Sequence, residues 1–462
     1  MCVRARVCVC VCVCPAAYLQ HCRLLRLIRQ RRDCVCICRH RTGPDGPDTR
    51  LVYKRSTDHG ATWSAGKVFL EPFSKRAENG LCQSQASPVI DPTTKMLYVG
   101  FIFNGPGCQA KELRAPMYVA WPQMVNSSDD GLTWSAPYSI MLNMGAGKPA
   151  VPVSGASHVA IGPTKGLTVT LPNGNTRLMF PGEADWSASV FSDDHGETWQ
   201  SNANNRSYTL SPGEMDWTVC SEGTECPPGM KYLMVNRAAG VYSLCVKWHP
   251  LLFWIRYCWP PVQSAPPPFH SIDSTCAEVC SVASAILLGP LCKTMCSQFS
   301  ADGVVWGKQI PTVNAGNIIV GQGHAKPGVV AVPGAFISSQ TLVLCARGQT
   351  VNTKDSSCGT PGLPGYHKRV PTDVVWSGMC LMISKDGIHW SLFKKTWPFG
   401  GMYTTAAGLT FDAAGAALTY GIVFAGGSLP VTKTGNIYFM NFTAVHPNGT
   451  MDSELAAAIA KL

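Results

Sequence analysis

Short apolar runs alternate with one recurring polar turn along most of this chain. Leu51-Val52-Tyr53 leads into Ser56-x-Asp58-x-Gly60-x-Thr62-Trp63, and Val68 to Leu70 leads away from it. The same five positions return as Ser127, Asp129, Gly131, Thr133 and Trp134, and again as Ser192, Asp194, Gly196, Thr198 and Trp199, the last copy preceded by Ser189-Val190-Phe191. Two shorter echoes, Ser300 to Trp306 and Ser384 to Trp390, keep the Asp-Gly pair and the closing Trp. Asp and Ser side chains bond to nearby backbone and Gly tolerates positive φ, so the pattern predicts a self-capped turn between two strands with the Trp as its anchor. Asp58, Asp129 and Asp194 are 71 and 65 residues apart, enough for four short strands and long loops in each repeat. Long repeats of short strands predict an all-β propeller, with the loops as the place for function.

The 462 residues exceed what one core usually holds, but radial repeats escape that limit because each unit buries its faces on its neighbours. The pattern sets residues 1–36 apart as an Arg/Cys-rich leader outside the propeller, and 37–445 as propeller. An irregular Cys/Pro/Trp-rich insertion at 241–296 interrupts it, and a tail of 446–462 follows, with an Ala-rich end that can form a short helix. The insertion reads equally as a surface excursion or as sequence foreign to the mature protein. Of the +10 net charge, +8 comes from nine Arg and one Asp within residues 1–41, so no basic stripe remains to suggest nucleic acid. Nine of the 22 cysteines lie in the first 38 residues as Val-Cys alternation, which reads as low complexity. Cys276, Cys280, Cys292 and Cys296 have zinc-like spacing, but no His or acidic residues accompany them, and no metal site is assigned. No uncharged apolar run of about 18 residues predicts a membrane span. Arg4 and Arg6 before Val7 to Cys14 resemble the start of a secretory signal, and Asn126, Asn205, Asn441 and Asn448 open glycan acceptor triplets. The compartment stays open between lysosomal or secretory and cytoplasmic, with or without membrane association, and so does the oligomeric state.

Candidate chemistry gathers just before the first turn, where Arg39-His40 is followed by Asp45 in a Gly/Pro loop. On these residues alone, a solvated turn and an anion site are both open. The stretch RHRTGPDGPDTRLVYKRSTDHGATWS resembles the first blade of the sialidases (neuraminidases). These are six-bladed β-propellers with four-stranded antiparallel blades and Asp-box (BNR) repeats. CQSQASPVIDPTTKMLYVGFIF, GPTKGLTVTL with RLMFPGE, YLMVNRAAG and WPFGGMYTTAAGLTFD resemble further parts of that family, so the likeness runs through about 37–240 and 298–445.

The resemblance implies an exo-α-sialidase that removes terminal sialic acid from glycoproteins, gangliosides and oligosaccharides by a retaining mechanism, with no metal or organic cofactor. It implies Tyr403 as nucleophile, Asp45 as acid/base, and Glu214 or Asp216 as the acid paired with the Tyr. Arg39, Arg237 and Arg369 would hold the substrate carboxylate. Two departures stand out: the family's leading Arg-x-Pro segment is absent, with Arg23 the nearest substitute, and Ala425 stands where a Glu is expected. They keep a second reading open, a catalytically inactive propeller that binds sialoglycans or proteins.

Overall fold

The structure, a computed structural model, describes residues 10–12, 18–26, 34–41, 49–70, 82–104, 120–140, 160–162, 164–171, 173–183, 187–201, 212–238, 246–249, 252–255, 295–314, 327–345, 375–397, 400–412, 416–427 and 436–462. They form six sheets of four or five strands and one two-stranded hairpin, almost wholly antiparallel. The first sheet runs Tyr18–Arg26, Cys34–Arg41, Thr49–Ser56, Lys67–Leu70, and the second runs Cys82–Ile90, Leu97–Asn104, Ala120–Ser127, Tyr138–Ser139. In the third, Ala160–Ile161 and Leu167–Thr170 both pair with Thr176–Glu183, followed by Ser187–Ser192 and Gln200–Ser201. The fourth holds Pro212–Val219, Tyr232–Ala238, Met295–Ser300 and Ile310–Pro311. The fifth holds Gly328–Val332, Ala335–Cys345, Val375–Ser384 and His389–Trp397. The sixth holds Gly400–Phe411, Ala417–Gly427 and Asn436–Thr443, with Cys10–Cys12 paired to the last of these.

Four strands per sheet was the expectation, and two sheets have five. The third gains one because its first strand is broken at residues 162–166 into two pieces that share one partner. The fifth gains Val313–Asn314, which pairs in parallel with His389–Trp397 as the chain crosses from the fourth sheet. Residues 1–36, set apart in the sequence, supply Cys10–Cys12 and Tyr18–Arg26 to sheets, and Val35 and Cys36 are buried. Cysteine packs as a small apolar side chain, so alternation with valine suits a strand. In the fourth sheet Arg237 faces Met295 in register, so residues 239–294 join two adjacent strands, and the hairpin Val246–His249 with Leu252–Ile255 lies inside that connection.

The second strands are buried on both faces: Leu97 to Ile102 and Tyr232 to Asn236 show no alternation. Such strands need cover on each side, and consecutive sheets provide it. Val35, Ile37 and Leu51 pack with Val99 and Phe101; Val89 and Met124 pack with Leu178, Phe180 and Trp199; Met179 and Phe191 pack with Trp217, Met234 and Trp306. Leu233 and Phe299 share a core with Phe336, Met382 and Trp390, and Ile337 and Leu381 share one with Ile422 and Phe424. The sixth sheet meets the first where Trp63 lies edge-on to Phe439, with ring centroids 5.4 Å apart.

The recurring turn explains itself locally. In the first copy Ser56 Oγ donates to Asp58 Oδ1 at 2.8 Å and accepts from Gly60 N–H at 2.7 Å. Asp58 accepts from Thr62 N–H at 2.8 Å and from Thr62 Oγ1 at 2.6 Å, and Trp63 Nε1 donates to Gly60 O at 3.1 Å. Ser127 to Thr133 and Ser192 to Trp199 repeat this set. In the fifth copy His389 Nδ1 takes the place of the Thr hydroxyl, 2.6 Å from Asp386 Oδ2. Burial acts to raise the Asp58 and Asp194 carboxyl pKa values, but the bonds from Thr and Ser outweigh it and hold both below the ordinary value. Gly60 has φ +85°, and a Cβ there would stand 2.5 Å from Phe439 Cζ, so the glycine serves both the turn and the seating of the first sheet on the sixth.

At the C-terminus, Asp452 accepts from Glu454 and Leu455 N–H and caps the helix Ser453–Ile459, which buries Leu455 in the core shared by the fifth and sixth sheets.

Candidate functional site

The topology sorts the molecule into two ends. Each recurring turn follows the third strand of its sheet, so all five lie at one end. The opposite end collects the starts of the first strands, the ends of the second strands, and the connections from second to third strand. The candidate residues whose backbone is described belong to that opposite end or next to it. Arg39 is near the end of Cys34–Arg41, in register with Gln20 and Leu51. Arg237 is near the end of Tyr232–Ala238, and Glu214 is near the start of Pro212–Val219 in the same sheet. Tyr403 is near the start of Gly400–Phe411. For these four the backbone is described and the side chains lie outside the described set. Asp45 falls between Arg41 and Thr49, and Arg369 between Cys345 and Val375; both lie outside the described residues.

Two of these positions share a backbone irregularity. Met402 pairs with Ala425 and Thr404 with Phe424, so Tyr403 is an extra residue without a register partner. Pro212 pairs with Ala238 and Met215 with Asn236, which places Glu214 in a second register shift. The first strands of the first and second sheets shift likewise, between Gln20 and Arg23 and between Ser84 and Ser87. A bulge breaks the two-residue alternation and re-aims the side chain at that point, a device frequent next to active sites. Ala425, opposite Met402, lies one register step from Tyr403.

Just inside these bulges the first strands are tied by buried polar groups. Asp216, fully buried, accepts from Lys165 Nζ at 3.0 Å, Trp217 N–H at 3.0 Å and Val329 N–H at 3.0 Å, and also from Thr164 Oγ1. Lys165 Nζ also donates to Val329 O at 2.9 Å, and Trp217 Nε1 to Lys165 O at 2.8 Å. Ser87 Oγ donates to Thr164 O, and Ser339 and Thr404 hydroxyls lie 2.7 Å apart. The belt thus links the second, third, fourth and fifth sheets through Ser87, Thr164, Asp216 and Val329, and the fifth to the sixth through Ser339 and Thr404. Of the two acids named as alternatives beside Tyr403, Asp216 has both carboxylate oxygens engaged in this belt, whereas the Glu214 side chain lies outside the described set.

Sequence reasoning missed Lys165 and Thr164. A lone Lys between Gly162 and Gly166 looks like a solvated loop residue, and its partners Asp216 and Val329 are 51 and 164 residues away in the chain. Of the four cysteines with zinc-like spacing, Cys276, Cys280 and Cys292 lie outside the described residues. Cys296 is buried within Met295–Ser300, where burial pushes its thiol up to about 11 and disfavours the thiolate a metal would need. Among the described residues no helix is long and apolar enough to cross a membrane.

No family model matches the chain. Solved structures do. It is similar to the Hadza microbial sialidase Hz136, at 14% identity over 92% of this chain and 66% of that one, with a TM-score of 0.51. It is similar to Trypanosoma rangeli sialidase at 12% identity over 96% and 56%, TM-score 0.53. The NanB sialidase of Streptococcus pneumoniae aligns at 10% identity over 93% and 68%, TM-score 0.54. The chain therefore spans about half to two thirds of the length of these proteins. At such identities the likeness is one of fold: the chain has an all-β, sialidase-like fold.

Proposed function

We propose that the chain is an exo-α-sialidase built on a six-bladed propeller with Asp-box turns, acting on terminal sialic acid of glycoproteins, gangliosides and oligosaccharides. The observation that carries this reading is the coincidence of Tyr403 and Glu214 with bulges at the same ends of two first strands, beside the strand ends of Arg39 and Arg237. Six sheets that pack in succession, the last against the first, support the propeller.

The chemistry suits those residue types. Sialic acid bears a carboxylate on the carbon that is attacked, so a carboxylate nucleophile would meet like charge, and a tyrosine avoids it. In the proposed sequence Tyr403 Oη attacks the anomeric carbon while Glu214 accepts its proton. Asp45 protonates the departing glycosidic oxygen, then removes a proton from the water that releases the sugar with retention, and Glu214 returns the proton to the tyrosine. Arg39, Arg237 and Arg369 clamp the substrate carboxylate through charge-assisted bonds.

The test is release of fluorophore from an aryl sialoside by the purified chain at mildly acidic pH. Tyr403→Phe and Asp45→Ala should each lower kcat by about 100-fold or more, the scale of losing a nucleophile or a general acid. A second reading, an inactive propeller that binds sialoglycans, draws on Ala425 opposite Met402 and on the missing Arg-x-Pro segment. Folded protein that binds sialyllactose without turnover would favour it over the first.

A further inference from the structure

Asn448 opens one of the four glycan acceptor triplets, and the fold treats it differently from the other two it describes. Asn126 lies in the strand Ala120–Ser127, where its Nδ2 donates to Tyr138 OH at 3.3 Å and its N–H to Ser135 Oγ at 3.0 Å. Asn441 lies half-buried in the strand Asn436–Thr443, in register with Gly421. Asn205 is outside the described residues. Asn448 instead stands at the tip of a small hairpin that follows the third strand of the sixth sheet, where Val445 pairs with Met451. Pro447 at the second position and Gly449 at the fourth suit a tight reversal, closed by Gly449 N–H donating to His446 O at 2.9 Å. Asn448 Oδ1 accepts from Thr450 N–H at 3.1 Å and from Thr450 Oγ1 at 2.7 Å, so the oxygen side of the amide holds the turn. Residues 446–450 are all exposed, and a Cβ at Gly449 would meet no described atom within 4 Å.

An independent observation concerns the surroundings in which the chain folds. Cys220 and Cys226 are joined by a disulfide in the connection from the first to the second strand of the fourth sheet. Both cysteines are only half-buried, so a reductant reaches the bridge. Such bridges persist in secreted and luminal proteins and are rare where glutathione and thioredoxin keep thiols reduced. The secretory route is also where Asn-x-Thr triplets acquire glycans.

We infer that Asn448 is an N-glycan acceptor and that the chain folds in an oxidising lumen of the secretory route. In the transfer, Asn448 Nδ2 attacks the anomeric carbon of a lipid-linked oligosaccharide diphosphate. The N–C bond forms as the bond to the diphosphate oxygen breaks, the diphosphate leaves with the electron pair, and Nδ2 gives up one proton. Because Oδ1 makes the bonds of the turn, the hairpin keeps them once Nδ2 is substituted. The hairpin follows a third strand, so the glycan stands at the turn end, opposite the end that collects Tyr403, and does not depend on hydrolytic activity.

The test uses the full chain in two preparations, one isolated from the cells that make it and one directed into the lumen of eukaryotic cells by a secretory signal. In both, a gel-mobility shift should disappear on treatment with peptide-N-glycosidase. Peptide mass spectrometry should place a glycan on Asn448, and a non-reduced digest should recover Cys220 linked to Cys226. Asn448→Asp keeps an acceptor oxygen for Thr450, so it should lose this glycan with the unfolding midpoint of the deglycosylated chain preserved. Thr450→Ser should keep the glycan and Thr450→Ala should lose it, while Asn126→Gln and Asn441→Gln leave the occupancy of Asn448 unchanged. Unmodified Asn448 in either preparation, or Cys220 and Cys226 recovered as thiols, overturns the inference.

Discussion

Replacing Asp216 by Ala removes the centre of the buried belt. Four donors lose their acceptor at once: the Lys165 ammonium, the Trp217 and Val329 amides and the Thr164 hydroxyl. Lys165 keeps its bond to the Val329 carbonyl at 2.9 Å but loses its carboxylate, with its side chain 9% exposed. Breaking a buried pair from one side costs about 3–5 kcal/mol, because the surviving charge is left without compensation. The orphaned amides belong to the first strands of two different sheets, so the loss is not confined to one loop, and we expect the upper part of that range.

The assay is chemical unfolding followed by tryptophan fluorescence, with Trp217 itself as an adjacent reporter. Asp216→Leu combined with Lys165→Met removes both charges and should be more stable than Asp216→Ala, the remaining deficit coming from the Trp217 and Val329 amides and the Thr164 hydroxyl, which stay without their acceptor. If Asp216→Ala costs less than about 1 kcal/mol, or the double variant is no better than the single one, then the pair does not hold the sheets together as argued. A variant that instead lost hydrolysis with its stability intact would give Asp216, not Glu214, the chemical role.

Two further expectations concern the turns. A Cβ at Gly60 meets Phe439 Cζ at 2.5 Å with φ +85°, whereas Gly174 has φ +84° and nothing within 4 Å. Gly60→Ala should therefore cost about 2–4 kcal/mol and Gly174→Ala about 1 kcal/mol, the difference being overpacking alone, read from paired unfolding midpoints. Asp91 is buried, and burial acts to raise its pKa, but bonds from Thr94, Thr93 and His195, with the His195 charge, hold it below the ordinary value. A carboxyl depressed in the folded state stabilises above its unfolded pKa and loses that contribution as pH falls through the folded one. The stability gap between the wild-type chain and Asp91→Asn should shrink as the pH falls below about 4, as measured by unfolding at a series of pH values.

What could be read from the sequence follows from how local each interaction is. The turn bonds between Ser56, Asp58, Gly60 and Thr62 span at most four residues, and the same chemistry survives in Asp386 with His389, where spacing and residue type both differ. Strand partners were harder. Both faces of Tyr98 to Ile102 are covered, so the alternation that normally marks a strand is missing there, and Val-Cys alternation at Cys34 to Cys38 looked like low complexity although it forms a strand. The residues around Tyr403 single it out in the sequence as a candidate, but the bulge in which it lies depends on Met402 and Thr404 pairing with Ala425 and Phe424 across the hairpin. The belt of Ser87, Thr164, Lys165 and Asp216 was invisible, since a polar residue 51 or 77 positions from its partner leaves no periodic trace.

The division into two ends has a consequence for how the candidate site keeps its shape. At the turn end the recurring turns are fixed by their own hydrogen bonds, and four of the five press their glycine on the neighbouring sheet, as with Gly196 on Tyr98 and Gly387 on Leu233. At the other end the backbones of Tyr403 and Glu214 lie in bulges, where ladder pairing lapses. The buried contacts immediately inside them, Thr404 with Ser339 beside one and Asp216 with Lys165 beside the other, cross between sheets. The proposed pairing of Tyr403 with Glu214 therefore draws on how the fourth, fifth and sixth sheets are tied rather than on either hairpin. On that proposal a conservative change in the belt, such as Ser339→Ala, should lower turnover of an aryl sialoside more than it lowers the unfolding midpoint, whereas changes in the turns should do the reverse.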